Sequence, residues 1–159
     1  MAYDDFYVRR FKQSDLLQCV DILEWLVTNS RYTEFGTDRD SVARYLMSSI
    51  HKSSEIYCEV AINKTDKKVM GYLHGYIDTP YFTTKKQAGD FALVILPKYR
   101  RYAPKVLRCL MDNFEKWAKS NGAYEVMMGA TTGSDSTGYR KFLEKRGYSP
   151  TGYAATKEI

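Results

Sequence analysis

Apolar and polar positions along the chain follow two periods, one typical of strands and one typical of helices. The strand period, in which side chains alternate between two faces, is clearest where branched and aromatic residues cluster. It predicts strands over 6–11, 56–63, 69–78, 90–96 and 123–131, and a weaker final strand over 148–157. The polar segment KTDKK between the second and third strands predicts a hairpin turn.

The helical period, in which apolar residues recur every three to four positions, predicts four helices. They cover 16–27, 38–50, 105–120 and 138–146. Gly122 and Gly147 follow the last two of these and suit helix ends.

The order of elements constrains the topology. The segment from Asp90 to Thr131 reads strand, helix, strand, and such a unit predicts a right-handed crossover between parallel neighbours. The hairpin before it predicts antiparallel pairing. The chain is therefore expected to form an α/β domain with a mixed sheet.

Bulk composition narrows the class of protein. The chain has 159 residues, which fits one domain spanning 1–159. With 44% hydrophobic and 27% charged residues it is typical of a globular protein. No apolar run approaches the roughly 20 residues needed to cross a bilayer, and the first ten residues lack a signal-peptide pattern, so we expect a cytoplasmic protein without membrane contact.

The net charge and the cysteine content do not single out one class of function. The net charge of +5 suits a polyanionic cofactor as well as nucleic acid, and the basic residues are spread along the chain. The three cysteines, Cys19, Cys58 and Cys109, lie far apart with no metal-ligand spacing. We expect three buried thiols and no metal site.

Three segments carry a resemblance to a known family. LVILPKYRR (93–101) resembles a strand ending that precedes a cofactor loop, and FLEKRGY (142–148) resembles a motif in a late helix. YVRRFKQSDLLQCVDIL (7–23) resembles a basic strand followed by an acidic-capped helix. Together, in this order, they resemble the GNAT superfamily of N-acetyltransferases over nearly the whole chain.

The resemblance implies a fold and an activity. The implied fold is a mixed, mostly antiparallel sheet of six to seven strands with a central parallel splayed pair, flanked by about four helices. The implied activity is transfer of an acetyl group from acetyl-CoA to a primary amine of a small molecule or a protein. Members of the family often form homodimers through their last strands, so a homodimer is possible here.

The resemblance also implies where the cofactor binds. The backbone of Leu93, Val94 and Ile95 would hold the pantetheine arm, and the start of the following helix would hold the pyrophosphate, because backbone N–H groups at a helix N-terminus bind anions. This sequence departs from the family's glycine-rich loop, with alanine and lysine at the two glycine positions. The predicted cofactor residues at this loop are Arg100, Arg101, Tyr102, Ala103, Lys105 and Val106. Ser136, in the loop before the last helix, is predicted either to reach the cofactor or to cap that helix.

Two residues are candidates for proton transfer. Asp90 opens the central strand, near where some family members carry a glutamate base, although it could equally be a turn residue after Gly89. The family often places a tyrosine acid at the position that Leu143 occupies here. Tyr139 lies one helical turn earlier on a similar face and could replace it.

The acceptor site is predicted from loops that border it in the family. Tyr32 and Tyr81, in two such loops, could contact a cationic amine, and Glu34 could pair with it. His74 titrates in a useful range, but a lone strand histidine is more often structural. Loops rich in aromatic residues also occur at protein interfaces, and Glu34 could equally be a solvated loop carboxylate.

Two other functions remain compatible with the sequence. A GNAT-fold module that has lost catalysis would explain the altered loop and the missing tyrosine. A nucleic-acid-binding module would use the tyrosines and basic residues, but no helix has a concentrated basic face, so nucleic acid is the less favoured partner.

Overall fold

The computed structural model describes residues 5–133 and 135–159, which form a mixed α/β fold. Its strands are β1 Phe6–Arg10, β2 Ile56–Asn63, β3 Val69–Asp78, β4 Lys86–Ile95 and β5 Ala123–Met127. Its α-helices are α1 Leu16–Thr28, α2 Arg39–His51, α3 Ala103–Ser120 and α4 Thr137–Lys145. No helix in the described ranges is long and apolar enough to cross a membrane.

The strands form one sheet in chain order, β1-β2-β3-β4-β5. The first three pairings are antiparallel, and β4 and β5 pair in parallel. The predicted four helices and the parallel pair are confirmed. The predicted count of six to seven strands is wrong, because the described part of the chain contains five.

The missing strand is the one predicted over 148–157. These residues have no regular structure, and every residue from 149 to 159 is exposed. The weak alternation of this segment includes Pro150 and Gly152, which disfavour a strand, and it offers no continuous apolar face to bury. The parallel pair consequently lies at the edge of the sheet rather than at its centre.

Helices cover both faces of the sheet. On one face α3 buries an apolar stripe that includes Val106, Leu110 and Phe114. On the other face α1 and α2 cover a second cluster that includes Tyr72 and Val94. Cys19, Cys58 and Cys109 are buried free thiols within these two clusters, as expected from their apolar surroundings.

One glycine permits the close packing of α3. A Cβ atom at Gly75 would lie 2.5 Å from the Phe114 ring, a contact that real side chains do not make. The bare backbone at this position therefore lets Phe114 pack directly on β3. The N-terminus of α3 lies just beyond the C-terminal end of β4, where the cofactor was predicted to bind, because only the short segment 97–102 separates the two.

Candidate active site

The parallel strands separate partway along their length and leave a fork. β4 pairs with β5 from Lys86↔Ala123 to Gly89↔Met127. Beyond Gly89, β4 continues to Ile95 and pairs only with β3. Residues 90–95 therefore have an open edge on the side that β5 would have occupied.

The direction of the backbone groups along this edge follows from strand geometry. The Leu96 N–H donates to the Met70 carbonyl at 2.9 Å, so it points to β3. Because backbone groups alternate along an antiparallel strand, the Val94 groups also point to β3, and those of Leu93 and Ile95 point into the fork. Within 5–133 and 135–159, no backbone group is hydrogen-bonded to the Leu93 or Ile95 N–H from that side. The predicted rail therefore presents two donors, from Leu93 and Ile95.

Asp90 lies where the two strands part. Its Oδ1 accepts a hydrogen bond from the Gly129 N–H at 3.2 Å, which links β4 to the chain just after β5. Burial raises the pKa of Asp90 above its ordinary value, against the opposing effect of this hydrogen bond. A carboxylate with a raised pKa at the edge of a cleft is a common feature of proton-transfer sites.

Tyr139 on α4 is electrostatically coupled to Asp90. Burial raises the pKa of Tyr139, and the Asp90 charge raises it further. The Tyr139 hydroxyl is buried and has no hydrogen-bond partner within the described residues. A buried O–H without a partner is costly, so it is a group that a ligand could satisfy.

α4 is held in place by an ion-pair network on α3. The Arg146 guanidinium contacts Asp112 and Glu115, each at 2.8 Å, and the Tyr148 hydroxyl donates to Glu115 at 3.0 Å. Arg146 and its two carboxylate partners are partly buried, so their ion pairs are screened less than fully exposed ones. The network fixes the helix that carries Tyr139.

A second tyrosine beside Asp90 was not anticipated from the sequence. Burial raises the pKa of Tyr76, and the charges of Asp90 and Asp78 add to the shift. A Cβ atom at Gly89 would lie 2.7 Å from the Tyr76 hydroxyl, so only glycine lets this hydroxyl approach the strand. The only feature of the sequence that could have indicated the position of Tyr76 is the glycine before Asp90, Gly89.

His74 lies deeper in the same region. It is 5% exposed, its Nε2 has no hydrogen-bond partner in the described part of the chain, and its ring centroid is 4.9 Å from that of Phe91. Burial lowers the pKa of His74 to about 4, against a backbone hydrogen bond with Tyr45. The imidazole is therefore neutral at neutral pH and cannot pair as a cation with a carboxylate.

The predicted pyrophosphate loop is helical. Pro97–Tyr102 form a 3-10 helix that continues into α3, and the Ala103 N–H donates to the Arg100 carbonyl. Pro104 has no N–H. A loop with several free backbone donors is therefore not formed, and positive side chains are the main groups that could hold an anion here.

The side chains around the start of α3 differ in their exposure. Arg100, Arg101 and Lys105 are exposed, and the Arg101 guanidinium lies over the Tyr102 ring, 4.5 Å from its centroid. The Val106 side chain is fully buried in the core, so only its backbone could meet a ligand. A cavity of about 210 Å³ lies next to these groups and is lined by Ile95, Leu96, Pro97, Arg100 and Ala103.

The loop before α4 has a different capping residue from the one predicted. Asp135 accepts hydrogen bonds from the Thr137 N–H at 2.9 Å and the Thr137 hydroxyl at 2.7 Å. Ser136 precedes α4 but makes no side-chain capping bond. Its hydroxyl remains a candidate cofactor contact.

The predicted acceptor residues do not converge. Tyr32 packs edge-on against Phe35, with centroids 5.8 Å apart, while Tyr81 packs against Phe82 in the other loop. Tyr81 is 100% exposed, and Glu34 is exposed in a short 3-10 turn. No ring contact joins the two loops among the residues that the structure describes.

Arg31, which the sequence did not single out, connects three segments around Tyr32. Its backbone N–H donates to the Thr132 carbonyl at 2.9 Å, and its Nε donates to the Thr131 carbonyl at 2.5 Å. Its guanidinium also lies over the Tyr32 ring, 4.2 Å from the centroid, and reaches the Thr156 hydroxyl at 3.5 Å. The α1–α2 loop is thereby fastened to the chain that follows β5.

We expect the substitution Arg31→Ala to loosen this connection without unfolding the protein. It removes side-chain hydrogen bonds worth about 1 kcal/mol each, so local opening should become about tenfold more frequent. Hydrogen exchange of the amides at 30–36 and 129–133 measures this directly. Arg108→Ala, an exposed site on α3, should leave these amides unchanged. Equal exchange in both variants would show that the Arg31 side chain does not hold the loop.

Solved structures share this fold over nearly the whole chain. An acetyltransferase of Trypanosoma brucei matches with a TM-score of 0.71 and 16% identity, covering 98% of this chain and 100% of the other. Glucosamine-6-phosphate N-acetyltransferase of Arabidopsis thaliana matches with a TM-score of 0.74 and 18% identity, covering 98% and 99%. AAC(6')-Iy, in complex with the bisubstrate analogue CoA-S-monomethyl-acetylneamine, matches with a TM-score of 0.71 and 15% identity, covering 97% of each chain.

Comparison by sequence, in contrast to comparison by structure, gives no match. No protein-family model and no curated protein sequence matches the chain. At identities of 15–18% the structural likeness defines the fold alone.

Proposed function

We propose that this chain, whose fold is that of the GNAT N-acetyltransferases, transfers an acetyl group from acetyl-CoA to a primary amine. The observation that carries the proposal is the fork of β4, where two backbone donors without a strand partner lie on the same strand as Asp90, whose charge contributes to the raised pKa of Tyr139. This is the combination that acyl transfer to an amine requires: donors for the thioester carbonyl and groups for two protons. The acceptor is a small-molecule or protein amine.

The open edge of β4 would bind the cofactor arm as a neighbouring strand would. The Leu93 N–H, nearer Asp90, donates to the thioester carbonyl, and the Ile95 N–H, which borders the cavity, donates to an amide carbonyl of the pantetheine arm. The arm leads toward the cavity beside Arg100 and Ala103. There the pyrophosphate would meet Arg100, Arg101 and Lys105, with Tyr102 holding the Arg101 guanidinium in position.

The reaction balances with the groups present. The amine nitrogen attacks the thioester carbonyl carbon and forms the C–N bond, while Asp90 accepts a proton from the amine. The C–S bond then breaks, and the Tyr139 hydroxyl donates its proton to the departing thiolate. The raised pKa of Asp90 makes it a better base. The raised pKa of Tyr139 keeps its hydroxyl protonated but makes it a weaker acid, so its proton moves to the thiolate only as the proton held by Asp90 passes back to the Tyr139 oxygen, which also restores both groups.

A GNAT-fold binding module without catalysis is the second candidate. The observation in its favour is the helical loop, in which the Ala103 N–H is already used and Pro104 has none. A protein that has lost cofactor binding would tolerate this arrangement. The two candidates differ in whether acetyl-CoA binds at all.

Calorimetric titration with acetyl-CoA tests the proposal. We expect a Kd on the order of 10 μM, and we expect Arg101→Glu to weaken it about tenfold, because a charge-assisted hydrogen bond is worth about 1.5–3 kcal/mol. Lys116→Glu reverses an exposed charge in the second half of α3 and should leave the Kd unchanged. Absence of binding at millimolar acetyl-CoA would overturn the proposal in favour of the binding module.

A further inference from the structure

An aromatic cluster lies on the α1–α2 face of the sheet beside the fork. Phe91 is its centre, with ring centroids 5.6 Å from Tyr45, 4.9 Å from His74 and 4.7 Å from Tyr76. Although three rings surround it, Phe91 is 46% exposed, and Tyr45 is 54% exposed. We name the surface formed by Tyr45, Tyr76 and Phe91 the aromatic platform.

The backbone of β4 creates the platform. His74 pairs with Ala92 and Gly75 pairs with Asp90, so Phe91 is an extra residue with no partner on β3. Such a register shift turns a side chain away from its alternating position. Here Phe91 is turned to the same face as Tyr45 and Tyr76, immediately after Asp90 in the chain.

The platform is not covered by a cation of the protein, unlike Tyr32 in the α1–α2 loop. The face of Tyr32 is already covered by the protein's own Arg31. Within residues 5–133 and 135–159, no arginine or lysine lies over Tyr45, Tyr76 or Phe91. A ligand from outside can therefore pack on these rings without displacing a cationic residue of the protein.

Charge and polarity next to the platform also favour an amine. The charges of Asp90 and Asp78 both act on the Tyr76 hydroxyl, so the negative potential is located at one end of the cluster. At the other end His74 is neutral and buried, and it adds no positive charge that would repel an amine. The cluster thus has an apolar surface at Phe91 and an anionic end at Asp90.

We propose that the aromatic platform binds the acceptor and selects a primary amine attached to an aromatic ring system, an assignment that rests on the proposed acetyl transfer. The ring system packs on Phe91 and Tyr45, and the amine extends toward Asp90. A linear polyamine has several ammonium groups and little ring surface, so it fits a site with many carboxylates better than this platform.

Steady-state kinetics with 2-phenylethylamine and spermidine as acceptors test the selection. We expect kcat/KM to be up to about tenfold higher for 2-phenylethylamine, because its ring makes an aromatic contact with the platform that spermidine lacks. Phe91→Ala should raise the KM for 2-phenylethylamine about tenfold while the Kd for acetyl-CoA stays the same. A preference for spermidine, or an unchanged KM in Phe91→Ala, would overturn the proposal.

Two further variants test whether the contact needs an aromatic ring or only apolar volume, and whether loss of any exposed ring has the same effect. Phe91→Leu keeps apolar volume but removes the ring face, so it should show most of the loss seen with alanine. Tyr153→Ala removes a 94% exposed ring in the C-terminal tail and should leave KM unchanged. If leucine restores the wild-type KM, the platform recognises bulk rather than an aromatic ring, and the selection is wrong.

Direct titration of 2-phenylethylamine into the protein distinguishes failure of this proposal from failure of acetyl transfer. If acetyl-CoA does not bind but the amine binds and Phe91→Ala weakens it about tenfold, the platform is an amine site and the enzymatic function is wrong. If acetyl-CoA binds but the wild-type protein neither binds nor acetylates 2-phenylethylamine, the platform proposal is wrong and acetyl transfer still stands.

Discussion

Replacing Asp90 with asparagine should lower kcat at neutral pH by about 100-fold or more, the usual contribution of a positioned general base, and should raise the melting temperature. Asparagine keeps an oxygen that can accept the Gly129 N–H. It removes a carboxylate whose charge is disfavoured by burial. Activity and stability are therefore expected to move in opposite directions.

The stability gain from Asp90→Asn should increase as the pH rises. The pKa of Asp90 is raised in the folded protein, so the fold binds its proton more tightly than the unfolded chain does. The wild-type protein then loses stability as pH rises from the ordinary value, about 3.9, through the folded pKa. The advantage of Asp90→Asn is consequently absent below about pH 3 and complete once the folded carboxyl has ionised.

Thermal melts at several pH values check the expected gain in stability. The value of kcat at neutral pH checks the expected loss of activity. Glu158→Gln, at an exposed position in the tail, is the matched control and should change neither quantity. If Asp90→Asn is more stable but fully active, Asp90 is a strained structural residue rather than the base. If it is inactive but not more stable at neutral pH, burial does not disfavour the Asp90 charge.

Leu93→Pro should reduce kcat/KM about 100-fold relative to Leu93→Ala, because one fixed donor to a developing oxyanion is worth about 10²–10³ in rate. Proline removes the N–H that points into the fork. It leaves the ladder with β3 intact, since the Leu93 N–H is not part of that ladder. Alanine removes the same half-buried side chain and keeps the N–H, so the ratio between the two variants isolates the donor.

A third variant tests the assignment of donors to the two sides of β4. Val94→Pro removes an N–H that points to β3, so it should lower the melting temperature more than Leu93→Pro does. Circular dichroism melts of the purified variants give this comparison. Similar kcat/KM for Leu93→Pro and Leu93→Ala would show that this N–H does not contact the substrate.

The sequence predicted the central hairpin well because its signals are local. β2 and β3 were predicted with the bounds that the structure has, since apolar runs flank the polar turn KTDKK. β4 was predicted to start at Asp90 but starts at Lys86. The segment KQAG has little strand propensity of its own and is extended because β3 and β5 pair with it on both sides.

The candidate site was only partly predictable for a related reason. Asp90 and Tyr139 were each proposed from the family resemblance, and in the structure the Asp90 charge contributes to the raised pKa of Tyr139. Arg31 contacts residues about 100 positions away, and no local pattern indicates such a contact. The position of Phe91 depends on its being a single extra residue in β4, which changes the face of a side chain without changing composition.

The open edge of β4 also bears on how the protein behaves at high concentration. An unpaired strand edge can recruit the strand of another molecule, and natural proteins usually cover such edges or place charges on them. Along 91–96 the sequence FALVIL contains no charge at all. A ligand bound in the fork would cover this aggregation-prone segment. We therefore expect the protein to aggregate less readily when the ligand is present. The cellular supply of that ligand would then influence how much of the protein stays in solution.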